Sequence, residues 1–399
     1  MNNSVLIQTS GAFLGKNLRY VEGPITIEIT SEGFFGSISR SSPGTLSSSR
    51  ILDLRGYIAL PPLANLHTHM LDYALLETGW ELDIDSLVGE PHGLKYVLLR
   101  KLSKEVLRKA VIDARMLNWT HGVGIIAEFR ELGLKGLAVD AELRVYGHVI
   151  LAMPSSHSSV KLAAEIRELT RLSDGVGVSS PLYFSRNDLK LLIKTFKEAG
   201  KYAVAHVAET LETYSEGDLQ HLLSADVVDA VVHGTYLKRE DLDTLRDLSI
   251  ALILCPRSNM WFSGRLPPLN DIYESGIAVG LGTDNAGWIK PDLWRDMELV
   301  LTQLRSYGIF DPKWVLKAGT VSAEIFGIEN HISEGVRANL LLVSAEGLGI
   351  EVVRNKWLAV IKRGGAEAVG ALVVGGEPRY CSGKGETLCN SLRNILSRR

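Results

Sequence analysis

The 399-residue chain is poor in cysteine: Cys255, Cys381 and Cys389 form no pair motif and leave an odd one over. That pattern reads as reduced thiols in a cytoplasmic protein, with no thiolate cluster for a structural metal. Long apolar runs are missing too. No stretch reaches the about 18 residues of a membrane span, and the mean hydropathy is only +0.09. Neither sign of charge dominates. The 43 Lys and Arg face 46 Asp and Glu, a formal net charge of −3. There is no basic excess to hold a nucleic acid or an anionic membrane. Glutamine is scarce, with three residues, which fits a thermophile. The start, Met1-Asn2-Asn3-Ser4, lacks the basic and apolar stretches of a secretory signal. What remains is a globular composition, 46% apolar and 22% charged.

Residues 4–58 alternate β-rich runs (Val5-Leu6-Ile7, Ile25-Thr26-Ile27-Glu28-Ile29, Gly36-Ser37-Ile38) with Gly, Ser and Pro punctuation, and 41–49 reads as a loop. From residue 59 short apolar runs alternate with amphipathic segments. Eight strands are expected, at 63–66, 124–128, 143–151, 175–178, 202–206, 227–233, 250–254 and 277–282. All are strand-length and apolar, as in a parallel sheet buried on both faces. Helix signals fill the gaps. Ser185-Arg186-Asn187-Asp188 resembles a capping box, followed by Leu189, Leu192, Ile193 and Phe196 on one face and Gly200 as a stop. Ser103 opens another helix, with Val106, Leu107, Ala110, Val111, Ala114 and Leu117 inward, and Pro291 stands at the first position of a third. This alternation predicts an α/β fold, a (β/α)₈ TIM barrel. Past residue 335 strand texture returns at 339–344, 358–362 and 371–374, and 388–399 reads as a basic amphipathic helix. Neither β-rich end buries much apolar surface alone. Residues 1–58 and 335–399 are therefore expected to join as one small β-sandwich domain, with the barrel at 59–334 inserted between them.

Chemistry in such a barrel sits at the C-terminal strand ends. The first expected strand leads into His67-Thr68-His69. Residues two apart in an extended chain face the same side, so both imidazoles can aim at one ion. The fifth strand ends in His206, the sixth in His233 and the eighth in Asp284. A lone strand-end histidine is more often a hydrogen-bonded core residue than a ligand. Four of them with an aspartate on one rim make the N/O donor set of a catalytic Zn²⁺-type site with an open position; Fe²⁺ and Mn²⁺ suit the same donors. Among the other histidines, His121 is expected to cap a helix C-terminus and His148 to be a satisfied core residue, while His157, His221 and His331 fall on loop or helix surfaces. Pocket walls are expected from the loops at 70–100, 153–160, 181–186 and 257–266. His92, Tyr183 and Trp288 are the candidate substrate contacts, Trp288 by stacking on a planar ring.

The sequence resembles the amidohydrolase superfamily along nearly its whole length, and within it the metal-dependent deaminase and chlorohydrolase branch. Five ordered motifs carry the resemblance: Gly56-Tyr57-Ile58-Ala59-Leu60-Pro61 leading into His67-Thr68-His69; His206-Val207-Ala208-Glu209-Thr210; Cys255-Pro256-Arg257-Ser258-Asn259; Gly282-Thr283-Asp284-Asn285; and Ala318-Gly319-Thr320 with Gly335-Val336-Arg337-Ala338-Asn339. The resemblance implies that His67, His69, His206 and Asp284 bind a divalent metal. It implies that Asp284 takes a proton from the attacking water, that Glu209 shuttles it to a ring nitrogen and then to the leaving group, and that His233 steadies the developing tetrahedral centre. Two-metal relatives bridge their ions with a carboxylated lysine at the end of the fourth strand. Here that region reads Gly175-Val176-Gly177-Val178-Ser179-Ser180, which favours one metal, Zn²⁺ first. Ser179-Ser180-Pro181-Leu182-Tyr183 also lacks the histidine that nucleoside deaminases of the branch place there. Glu128 and Arg130 read as an ion pair rather than substrate contacts. The implied reaction is hydrolytic deamination of an amino-substituted heterocycle, or hydrolysis of a cyclic amide, an imidazolone or a chloro-heterocycle on the same site. A small-molecule substrate and a homodimer are the expected partners.

Overall fold

The computed structural model describes residues 4–40, 51–139, 141–157 and 159–397. The loop expected at 41–49 lies outside the described residues. In chain order the strands are β1 Ser4–Leu14, β2 Arg19–Thr30, β3 Phe35–Arg40, β4 Ile51–Leu60, β5 Leu63–His69, β6 Val123–Arg130, β7 His148–Ala152, β8 Gly175–Val178, β9 Tyr202–Val207, β10 Ala230–His233, β11 Ala251–Leu254, β12 Val279–Leu281, β13 Asp284–Asn285, β14 Leu340–Ser344, β15 Val369–Val374 and β16 Glu377–Cys381.

Strands β5 to β13 form one sheet in the order β12-β11-β10-β9-β8-β7-β6-β5-β13. The pairing is parallel, and nearly every residue of these strands is buried, as two covered faces require. The eighth barrel strand is split into β12 and β13, and the two pieces close the ring. Gly282 N–H donates to Leu254 O at 2.8 Å, and Thr283 N–H to His67 O at 3.0 Å. β13 then pairs with β5, Asp284 opposite Thr68 and Asn285 opposite His69. Gly282 is required at the crossing: a β-carbon there would lie 2.7 Å from His67 Cβ and 2.8 Å from its carbonyl oxygen. Ring closure and the placement of His67 thus depend on the same close approach.

The helix expected after Ser185 runs over Arg186–Glu198. Ser185 Oγ accepts from Asp188 N–H at 3.2 Å, and Leu189, Leu192, Ile193 and Phe196 are fully buried. Gly200, at φ +69°, takes the left-handed turn that ends it.

The remaining strands form a seven-stranded sheet, β16-β15-β14-β4-β1-β2-β3, built from both chain ends. β1 pairs in parallel with β4; its other neighbour, β2, is antiparallel. Ile7, Ile25, Ile27, Leu340, Leu342 and Val373 share one core with Leu388 and Leu392 of the C-terminal helix Gly385–Leu396. The chain divides into two compact units, residues 1–64, 117–125 and 310–399 in one and 65–116 and 126–309 in the other. Among the described residues no helix is long and apolar enough to cross a membrane.

Several local expectations are corrected. Cys381 and Cys389 form a disulfide with Cα atoms 6.5 Å apart, because the final helix folds back over β16. The chain's cysteines are therefore one pair and one buried free thiol, Cys255, and the unpaired-cysteine argument for a reducing compartment falls. The apolar run 358–362 is not a strand but the middle of helix Lys356–Arg363, which Asn355 caps by accepting from Leu358 N–H at 2.9 Å. A short apolar run fits either element, and the cap decides. The strand expected at 143–151 begins only at His148, after Gly147 at φ +90°. Val106 points outward at 45% exposure. The third helix starts at Leu293, two residues past Pro291. His331 is buried rather than superficial, and its Nδ1 meets Ser333 Oγ at 3.0 Å.

Candidate metal centre and active site

The strand ends bring His67, His69, His206 and Asp284 together, with one donor atom of each within 4.8 Å of the others. His67 Nε2 lies 3.2 Å from His206 Nε2 and 3.2 Å from Asp284 Oδ1, which lies 3.4 Å from His69 Nε2. Donors around a tetrahedral ion at about 2.0–2.1 Å stand about 3.4 Å apart, so the cluster has the spacing of a first coordination sphere. Its charge state agrees. Burial lowers His67 to about 4 and His206 well below the usual imidazole value, leaving neutral rings with free lone pairs, the form a cation needs. Burial works against the charged form of Asp284, but the surrounding imidazoles of His67, His233 and His69 outweigh it and hold the carboxylate ionised.

Outer contacts orient these donors. The His69 Nδ1–H donates to Glu131 Oε1 at 2.6 Å, and that oxygen lies 2.7 Å from Lys95 Nζ. Lys95 also meets Asp72 Oδ2 at 3.0 Å. All three groups of this relay are buried. Burial opposes the Glu131 charge, and Lys95 and His69 override it, holding the carboxyl down at about 2. The His206 Nδ1–H donates to Val178 O at 3.2 Å. Hydrogen bonds at Nδ1 leave Nε2 as the donor toward a metal. Asp284 Oδ2 accepts from Ser258 Oγ at 2.5 Å, which leaves Oδ1 facing the imidazoles.

Beside the cluster, Asn259 Nδ2–H donates to His233 Nδ1 at 3.1 Å. The remaining proton of the neutral ring then sits on Nε2, which has no hydrogen-bond partner and faces Glu209 Oε1 at 3.5 Å. Burial lowers His233 to about 3. Burial, then the Asp284 charge, raises Glu209 well above the usual carboxylate range, although its side chain keeps 23% exposure toward the pocket. Ala208, His233 and Asp284 all adopt left-handed backbone, at φ +51°, +74° and +63°. Non-glycine residues hold such angles at a cost of about 1–3 kcal/mol each, and such strain clusters at functional sites.

The donors open into a pocket of about 680 Å³, counting its solvent-filled mouth, lined among others by Tyr96, Ser179, Tyr183, Glu209, Thr210 and His233. Tyr183, a candidate substrate contact, is thus on the wall of this pocket. His92 lines only the outer cavity beyond. Trp288 does not line either space: its indole N–H donates to Thr78 O at 3.1 Å, and it borders a separate surface hollow with Trp261 and Arg257. Glu128 and Arg130 form the expected ion pair, fully buried, at 2.8 and 2.7 Å. His148 completes it, with Nε2 2.9 Å from Glu128 Oε2. His121 Nδ1 meets Leu117 O at 2.8 Å, in the last turn of the helix it follows. Sequence reasoning missed Lys95, Asp72 and Glu131, and gave Ser258 and Asn259 no individual roles.

Known proteins are similar to this chain in sequence and fold. A provisionally named aminohydrolase of Methanothermobacter thermautotrophicus is 28% identical over 359 residues, 86% of this chain and 92% of its own. A 5-methylthioadenosine/S-adenosylhomocysteine deaminase of Acetivibrio thermocellus is 24% identical over 405 residues, 92% of this chain and 88% of its own. The crystal structure of a zinc-bound adenosine deaminase from Xanthomonas campestris superposes with a TM-score of 0.82 at 16% identity, covering 99% of this chain and 98% of that one. The amidohydrolase family model matches residues 58–374. That match spans well over half of the sequence, and the chain belongs to the amidohydrolase family.

Proposed function

We propose that this hydrolase removes an amino group from an amino-substituted heterocycle (a purine, pyrimidine or related ring), releasing ammonia, with one divalent metal ion, Zn²⁺ first, held by His67, His69, His206 and Asp284. The observation that carries the reading is Glu209. Its carboxyl, raised by burial and by Asp284, sits beside the His233 Nε2–H at the edge of the donor cluster. A divalent ion in such a donor set brings the pKa of water from 15.7 to about 7 and so supplies hydroxide at neutral pH. Asp284, anchored by Ser258 through one oxygen, accepts the proton of the attacking water at the other. Glu209, protonated at the outset, gives its proton to a ring nitrogen; of the two protons of the water, one passing through Asp284, one goes to the departing amine and the other restores Glu209, so that water and the amino compound give the oxo compound and ammonia. His233 donates its Nε2–H to the oxygen on which negative charge develops. The β8 end carries no lysine, which supports a single ion.

The test is ammonia release over aminopurines, aminopyrimidines, pterins and their nucleosides, with Zn²⁺, Fe²⁺ or Mn²⁺ added. Ammonia with the matching oxo product is the expected result. Release of a carboxylate or chloride with no ammonia sinks the deaminase reading and makes the protein a cyclic-amide or chloro-heterocycle hydrolase.

Glu131→Gln should weaken metal binding by about 10–100-fold, the usual cost of removing the carboxylate behind a ligand histidine. Competition with a chromophoric chelator measures it. Unchanged affinity would mean that Lys95 and Glu131 serve folding alone.

A further inference from the structure

The wall of the pocket carries charge of one sign beyond the catalytic groups. Asp85, Glu90, Glu212 and Glu216 line the outer cavity, which adjoins the inner pocket through Asp85, Glu90, Ser180 and Tyr183. No Lys or Arg among the described residues lines the outer cavity, and Lys95 is the single one lining the inner pocket. Lys95 is committed to Asp72 and Glu131, at 3.0 and 2.7 Å. An acidic rim alone could be a solvated surface, but Glu90 is not solvated. Its side chain is only 6% exposed, and its Oε2 is buried without a hydrogen bond. His157 Nε2 faces it at 3.5 Å, beyond a normal hydrogen bond, and also lacks a hydrogen-bond partner. Asp218, the inner pocket's other such carboxylate, is satisfied: Ala208 N–H and Leu219 N–H donate to it at 2.6 and 2.7 Å. A buried carboxylate oxygen without a donor keeps its desolvation penalty uncompensated unless a ligand supplies the donor.

We propose that the substrate bears a positively charged ammonium arm beyond its reacting ring, and that Glu90 seats this arm, with Asp85 nearer the mouth. The inference rests on the deaminase reading and specifies its substrate class. An ammonium group offers charge-assisted N–H donors to the oxygen that lacks one. A phosphate or carboxylate arm would meet four carboxylates and no free cation, so the same wall rejects it.

The test uses matched sets sharing one ring and sugar: the 5′-hydroxyl parent, the 5′-amino-5′-deoxy derivative and the 5′-phosphate of adenosine, guanosine and cytidine. At pH 7 the amine is expected to exceed its parent in kcat/KM by about tenfold or more, the worth of one hydrogen bond to a charged group, with the phosphate below the parent. Glu90→Gln should bring amine and parent within about twofold of each other. A preferred phosphate, or an amine preference that survives Glu90→Gln, overturns the inference. If no set releases ammonia, the deaminase reading fails for these rings, and charge preference is read instead from calorimetric binding of the same compounds to the metal-loaded protein. An amine that binds no more tightly than its parent then overturns the inference independently.

Discussion

Glu209→Gln is expected to lower kcat by about 10³-fold with the metal content unchanged. Positioned proton transfer contributes about 10²–10⁴-fold, and an amide of the same shape cannot carry it. The geometry makes the variant selective. Glu209 is not a member of the group formed by His67, His69, His206 and Asp284, although it forms a second group with His233 and Asp284, so the four-residue donor set keeps its members. Its link to the rest of the site is the 3.5 Å approach to His233 Nε2. Glutamine can still offer an oxygen to that N–H, so ring orientation survives while proton delivery does not. Steady-state ammonia release with metal analysis on the same sample decides. Turnover within about threefold of the wild type removes Glu209 from the reaction. Loss of the metal moves it into the ligand set.

The barrel and the central part of the site were legible in the sequence for a physical reason. A parallel strand buried on both faces must be a largely apolar run, and a candidate site residue stands out where that run ends. His206 and His233 close such runs directly, Asp284 follows one after Gly282 and Thr283, and His67 follows one that only Asn65 interrupts. The same logic does not reach the relay behind His69. Asp72 and Lys95 come from distant points of the long β5–β6 connection and Glu131 from the residue after β6, and no periodicity marks any of them. Their pairing exists only once β5 and β6 are side by side. Lys95 in particular reads as an ordinary helix-surface lysine until the fold buries it between two carboxylates. Glu90 is hidden for the same reason, since an acidic residue before a proline looks like a plain turn. Trp288 shows the converse failure. An aromatic near a motif suggests stacking, but its orientation follows from the hydrogen bond to Thr78 O, which sequence cannot reveal. The disulfide escaped because a separation of eight positions between cysteines means little without the strand-to-helix turn that brings them together.

Arg130→Met should cost about 3–5 kcal/mol of stability, the usual penalty for stranding one member of a buried ion pair. Arg130 and Glu128 are both inaccessible to solvent, and the guanidinium grips both carboxylate oxygens while also donating to Gly136 O at 3.0 Å. Methionine fills much of the space but leaves the carboxylate with His148 alone. Burial works against the Glu128 charge, and Arg130 and His148 outweigh it, so its folded pKa lies below the usual glutamate value. A depressed folded pKa contributes stability that is present above the unfolded value and lost as pH falls through the folded one. The gap between wild type and variant should therefore be widest near neutral pH and narrow in acid, where the stranded carboxyl of the variant takes up a proton. Chemical denaturation of wild type, Arg130→Met and the double variant Glu128→Gln/Arg130→Met measures this at each pH. The double variant should recover part of the loss, because it removes the uncompensated charge. A single-variant loss under about 1 kcal/mol at neutral pH would mean that a proton shared with His148 compensates Glu128 without Arg130. The same experiment bears on the site. Glu131 directly follows Arg130 and holds His69, so a β6 end loosened by the stranded charge should also weaken metal retention before the protein unfolds.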